Sequence, residues 1–217
     1  LEKLGGTFPM YKINKKQLSL ILIFALLLSL FSTLNLTTYA ASSGNTIDMA
    51  DANPPSSGIG WMYNNNVYTI TNGANVTIIG NNASGLRRVE VAASAVANIT
   101  LDNVFISVSQ SPFLLNTGAN VTLTIVNENS LTSTWGSAGI QALADTTLLI
   151  AAASTGKLTT TGGSQSAGIG GNVGNSGGNI TISGGEIIAK AGAYAAGIGG
   201  GEYGSGGNIT INGGTVT

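Results

Sequence analysis

Gly178-Asn179-Ile180-Thr181-Ile182 recurs 29 residues later as Gly207-Asn208-Ile209-Thr210-Ile211. Within each copy polar and apolar residues alternate, which is the period of a strand with one face buried and the other in water. Asn and Thr point one way and Ile the other. The same spacing extends outward: Ala138-Gly139-Ile140, Ala167-Gly168-Ile169 and Ala196-Gly197-Ile198 lie 29 apart, and Gly184-Gly185 returns as Gly213-Gly214. Upstream the repeat loosens but persists. Asn75-Val76-Thr77-Ile78, Asn98-Ile99-Thr100-Leu101 and Asn120-Val121-Thr122-Leu123 are 23 and 22 residues apart, with Thr147-Leu148-Leu149-Ile150 as a degenerate copy. Second strands are expected at 104–107, 157–160 and 186–189, and each Ala-Gly-Ile supplies a third short strand or corner.

Two or three short strands per repeat, with no helix between them, predict an all-β fold. The specific expectation is a right-handed, single-stranded parallel β-helix (a solenoid) with coils of about 22–29 residues. Each coil hides its apolar side only by stacking on its neighbours, about 4.8 Å apart. A β-propeller needs about 40–45 residues per blade, well above this period. Right-handedness follows from the strong bias of parallel crossovers. Stacked Asn residues should form an amide ladder along the axis, and repeated Gly should serve corners that need positive φ.

Composition agrees. The chain has 217 residues, of which 32 are Gly, and only 8% are charged, against about 25% in an ordinary soluble domain. An apolar fraction of 43% argues against disorder. Cys and His are both absent, which removes disulfides, thiolate metal sites and the commonest general base. No cofactor and no metal site is expected.

Lys12, Lys15 and Lys16 precede an apolar run from Leu18 to Phe31, and small residues follow at Ala40-Ala41. This reads as a secretory signal peptide, with Met10 as the start and cleavage after Ala40. The membrane is then met only during export. Residues 41–66 read as a polar linker and N-terminal cap, and 67–217 as the β-helix, cut inside a repeat at its C-terminus. Without 1–40 the chain keeps four basic and eight acidic residues, a net charge of −4. Arg87, Arg88, Lys157 and Lys190 are too few to neutralise a run of phosphates, so nucleic acid is not expected as a partner.

The stretches Ala167-Gly-Ile-Gly-Gly171, Ser176-Gly-Gly-Asn-Ile-Thr-Ile-Ser-Gly-Gly185 and Ala196-Gly-Ile-Gly-Gly-Gly201 resemble glycine-rich repeats of secreted and cell-surface proteins of Gram-positive bacteria. Such proteins are described as carbohydrate-binding domain-containing and fold as pectate-lyase-like right-handed β-helices. The resemblance covers about 68–217. It implies an extracellular location and contact with polysaccharide or cell-wall glycan.

The same resemblance raises an enzymatic alternative, a polysaccharide lyase or hydrolase. Lyases of that shape gather acids around Ca²⁺, which takes 6–8 oxygen ligands. Here Asp48, Asp51, Glu90, Asp102, Glu128, Asp145, Glu186 and Glu202 are scattered singly, and Glu90 beside Arg87-Arg88 is the one mixed cluster. No catalytic residue is assigned. The glycine loops 168–178 and 197–207 precede strands, whereas a phosphate loop leads into a helix. They also lack the Asp of calcium-binding nonapeptides, and read as flexible corners. Outward Thr77, Thr100, Thr122, Thr181 and Thr210 suggest a ladder of the kind ice-binding solenoids use, although Thr is also simply a good exposed strand residue. The Asn-x-Thr/Ser sequons follow from the repeat itself.

Sugar binding needs exposed aromatic faces with polar groups beside them. Trp135 and Tyr194 lie just before Ala-Gly-Ile corners, and Tyr203 lies in the next glycine loop beside Glu202. These four residues are the candidate carbohydrate site. The expected function is a secreted or cell-surface module that binds polysaccharide or mediates adhesion without catalysis. A purely structural surface spacer is the main alternative.

Overall fold

The computed structural model describes residues 15–16, 44–83 and 85–217. Apart from Lys15 and Lys16, the segment expected to direct export lies outside the described residues. The unit from Ala41 onward is all-β and forms a parallel solenoid of six coils. Ahead of the first coil come β1 (Thr46–Asp48), β2 (Ser57–Gly58) and β3 (Trp61–Asn64). The first coil holds β4 (Val67–Ile70) and β5 (Asn75–Asn82), and the second β6 (Arg88–Val91) and β7 (Val96–Val108). The third holds β8 (Phe113–Leu115), β9 (Asn120–Val126) and β10 (Glu128–Ser133). The fourth holds β11 (Ile140–Gln141), β12 (Thr147–Ile150) and β13 (Lys157–Thr161). The fifth holds β14 (Ile169–Gly170), β15 (Asn179–Ile182) and β16 (Glu186–Lys190), and the sixth β17 (Ile198–Gly199), β18 (Asn208–Ile211) and β19 (Thr215–Val216).

Three faces enclose the core. An eleven-stranded sheet supplies two of them and an eight-stranded sheet the third. The larger sheet is shared because β5 and β7 each run round a corner: β7 pairs with β9 over its first half and with β10 over its second. At that corner Asn103 and Asn127 take φ of 54°, and Gly185 and Gly214 take 77° and 79° at the matching positions of later coils. Asn tolerates the left-handed region better than other L-residues, so Asn serves this corner in the second and third coils and Gly in the later ones. Asn129 turns inward just beyond, 3% exposed. Its Oδ1 accepts from Val104 N at 2.9 Å and its Nδ2 donates to Val126 O at 2.8 Å. A buried polar side chain with both ends satisfied fixes the corner without a desolvation penalty.

The strand phase read from the sequence holds in the fold. Ile180 and Ile182 are buried, Asn179 is exposed and Thr181 is half-buried. They stack on Ile209, Ile211, Asn208 and Thr210 in register. Asn208 Nδ2 donates to Asn179 Oδ1 at 2.8 Å, a rung of the expected amide ladder. Thr147 interrupts that ladder between Asn120 and Asn179.

One expected alignment is displaced. Asn120 stands opposite Val96, and Asn98 opposite Thr122, two residues from the sequence alignment. Tight turns set the register: Ala95 N donates to Ala92 O, Ala119 N donates to Asn116 O, and both alanines are buried at the same corner. A slip of two keeps every apolar side chain inward, so the hydrophobic pattern alone does not detect it. The Thr residues expected as one ladder are therefore split, with Thr100 facing Thr124 and Thr122 facing Leu149.

The glycine repeats follow expectation in part: Gly170, Gly174, Gly185, Gly199, Gly207 and Gly214 take positive φ. Gly139 and Gly168 have ordinary negative φ, and an added Cβ would lie 2.8 and 2.7 Å from a carbonyl oxygen of the next coil. They are packed contacts between coils rather than flexible corners.

Residues 44–66 form a packed cap. Ile47, Met49 and Trp61 belong to the core, and β2, β3 and β4 pair antiparallel, which ends the third face. The Arg87 guanidinium lies 5.9 Å from the centroid of the Tyr63 ring and donates to Met49 O at 3.0 Å, clipping the cap to the second coil. Tyr68 packs edge-on against Trp61 with centroids 5.5 Å apart. Burial pushes its phenol pKa up to about 12, partly countered by Arg87.

Two outcomes test this packing. Ile182→Asp places an unpaired carboxylate in the shared core and should cost roughly 3–5 kcal/mol, whereas Thr181→Asp should change stability by less than about 1 kcal/mol. Equal shifts in thermal midpoint for the two would contradict the strand phase. Thr160 is fully buried and its hydroxyl has no partner. Thr160→Val should raise stability by about 1 kcal/mol in chemical denaturation, since it removes an orphaned polar atom without changing shape.

Candidate functional site

The corner joining the second face to the third carries the first two candidate aromatics. Trp135 follows β10 and is 78% exposed; Tyr194 follows β16 and is 83% exposed. The corner itself is rigidly built. Ser133 Oγ donates to Trp135 O at 2.9 Å, Ser166 N to Gly163 O at 3.2 Å, and Gly192 N to Ser166 O at 2.9 Å. Continuing the register of β10, β13 and β16 sets Trp135, Ser164 and Ala193 level, so Trp135 and Tyr194 are two coils apart.

Tyr203 begins farther away in the chain and is brought back. After β17 the chain reverses, with Ala196 N donating to Gly200 O at 3.1 Å. The preceding coil makes the same reversal through Ala167 N and Gly171 O at 2.9 Å. The two glycine loops then stack: Gly174 N donates to Glu202 O at 2.7 Å and Gly177 N to Ser205 O at 2.9 Å. Glu202 N reaches Gln165 O at 2.9 Å, and Gln165 Nε2 donates to the Glu202 carboxylate. Gln165 occupies the repeat position of Tyr194, 29 residues earlier, with φ of 60° against 61°. The loop bearing Glu202 and Tyr203 is thus tied to the corner that carries Tyr194.

Tyr203 is 87% exposed. The neighbouring Glu202 carboxylate holds its phenol pKa above the ordinary 10.0. Chemically these residues offer three aromatic rings exposed to solvent, one carboxylate and one amide. Such a surface stacks on apolar faces and hydrogen-bonds hydroxyl groups.

Gln165 was not singled out in the sequence, although its 29-residue offset from Tyr194 marks it. The same holds for a polar chain on the third face. Ser111 Oγ donates to Gln141 Oε1 at 3.0 Å, Asn172 Nδ2 donates to the same oxygen at 2.8 Å, and Ala138 N donates to Asn172 Oδ1 at 2.7 Å. This chain ties the base of the first glycine loop to two earlier coils.

The remaining charges are spread out. Arg88 pairs with Glu90, Lys157 with Glu186 at 3.3 Å, and Asp102 accepts from Asn127 at 2.7 Å. Among the described residues no three acids gather as a cation site. A cavity of about 50 Å³ lies under the cap, lined in part by Asp48, Asp51 and Trp61, away from the aromatic ridge.

Tyr194 and Tyr203 both sit in the left-handed region, with φ of 61° and 63°. Gly174 holds the position equivalent to Tyr203 one coil earlier, with φ of 75°. That conformation costs an L-residue roughly 1–2 kcal/mol, offset by about 0.5–1 kcal/mol of extra chain entropy if Gly replaces it. Tyr203→Gly should therefore fold at least as stably as the parent, with a gain of up to about 1 kcal/mol in thermal unfolding. A loss beyond about 1 kcal/mol would mean that the Tyr203 side chain packs after all.

Compared with known proteins, the chain matches no family model, no curated protein and no solved structure.

Proposed function

We propose that the solenoid is a non-catalytic module that binds polysaccharide, exported by the segment before Ala41 and displayed outside the cell. The observation that carries this reading is the aromatic ridge. Trp135, Tyr194 and Tyr203 are each at least 78% exposed, and two of them hold a backbone conformation that glycine adopts more readily. Isolated exposed apolar residues are ordinary. Three large rings tied to one corner, with strain accepted to keep two of them there, are not. The resemblance of the glycine repeats to those of Gram-positive surface proteins points the same way.

Affinity should be modest, because a ridge buries little of a ligand. It should also change little with salt for a neutral glycan, since no cluster of cations takes part. The second reading, a surface spacer, draws on the uniform coil stacking, which gives a stiff rod of fixed rise per repeat. Pull-down on a panel of insoluble polysaccharides separates the two. The parent should be retained and the variant carrying Trp135→Ala, Tyr194→Ala and Tyr203→Ala should wash through. Equal retention of both moves the site elsewhere, and no retention of the parent favours the spacer.

A further inference from the structure

The fold sets the distance between the two aromatics that flank the corner, and that distance selects a class of glycan. Trp135 and Tyr194 stand two coils apart on one edge, and the intervening coil offers the small, exposed Ser164 at the level of Trp135. Two coil rises make about 10 Å. Because the corners of successive coils are hydrogen-bonded to one another, the axial part of this separation is set by the backbone, and Tyr194 stands one residue farther round the corner than Trp135.

An extended β-1,4-linked pyranose chain turns each sugar over relative to the last, so the same ring face returns only at every second sugar. The advance over two sugars matches two coil rises. An α-1,4-linked chain coils, and a β-1,3-linked chain winds into a helix, so neither returns the same face at that interval along a straight line. We infer that the ridge takes an extended β-1,4-linked glycan laid parallel to the solenoid axis, with Trp135 and Tyr194 stacked on alternate sugars. The inverted sugar between them passes over Ser164, where a large side chain would collide. Glu202, whose carboxylate is held by Gln165 of the intervening coil, then stands beside the hydroxyl groups of that inverted sugar. This inference rests on the polysaccharide-binding reading above and narrows it.

The test moves one ring by one coil without changing composition. Trp135→Ser combined with Ser164→Trp leaves Tyr194 one rise from the nearest ring and fills the gap between them; both positions are exposed, so the core is untouched. Depletion binding is measured on cellulose and chitin, on starch granules and on an insoluble β-1,3-glucan. The parent should prefer the β-1,4 polymers by about tenfold or more. The shifted variant should bind them no better than Trp135→Ser alone, with an unchanged thermal midpoint. Parent binding to starch or β-1,3-glucan equal to that on cellulose and chitin overturns the inference and leaves the polysaccharide reading standing, as does parental affinity in the shifted variant. A parent that binds none of the four overturns both.

Discussion

Every feature of this chain depends on the stacking of one coil on the next. A single coil has two or three strands of two to thirteen residues and cannot bury its own Ile and Val side chains. It becomes stable only when the backbone ladder is extended above and below and the inward side chains meet their copies. Leu148 and Ile150 lie over Val121 and Leu123 and beneath Ile180 and Ile182, all fully buried.

Stacking explains what could be read in the sequence. A fold held by nearest-neighbour contacts repeats its sequence, and the Asn-Ile-Thr-Ile copies disclosed strand phase, period and fold class together. The displaced register at Asn98 and Asn120 shows the limit. Inward and outward faces survive a slip of two, and what resolves it is the turn that ends at Ala95 and Ala119, whose short sequences look unlike one another. The corner residues Asn103, Asn127 and Asn129 were similarly silent. Their role lies in φ and in hydrogen bonds to other coils, and hydropathy does not encode either.

Glycine carries two separate meanings here. In one set, including Gly185 and Gly214, the backbone is left-handed and an L-residue is strained. In the other, including Gly139 and Gly168, φ is ordinary and the backbone of the next coil fills the place of a side chain. The repeat spacing is the same for both, so the sequence alone did not separate them. The difference matters for the site. Close packing of the second kind makes the base of the glycine loops rigid, and the loops therefore hold Glu202 and Tyr203 against the Gln165 corner instead of waving in solvent. Their return to that corner was the part of the site least legible in the sequence, because it depends on a chain reversal between Ala196 and Gly200.

The candidate site follows from the same constraint that makes the fold. A solenoid repeats its backbone at a fixed rise, so a side chain placed on a corner has a position along the axis that is set to within a fraction of a coil. Other folds position binding residues through loops of independent geometry, and their spacing must be tuned case by case. Here the spacing takes only whole multiples of the rise, and sequence change at one corner alters which multiple is occupied. A ligand that is itself a regular polymer meets such a ruler on equal terms, since a match at one repeat implies a match at the next. The tyrosines in left-handed backbone fit this logic. The corner conformation is imposed by the stack, and a residue useful for contact has to accept it; Gln165 and Tyr194 do so at the same angle, one holding the loop and the other presenting a ring.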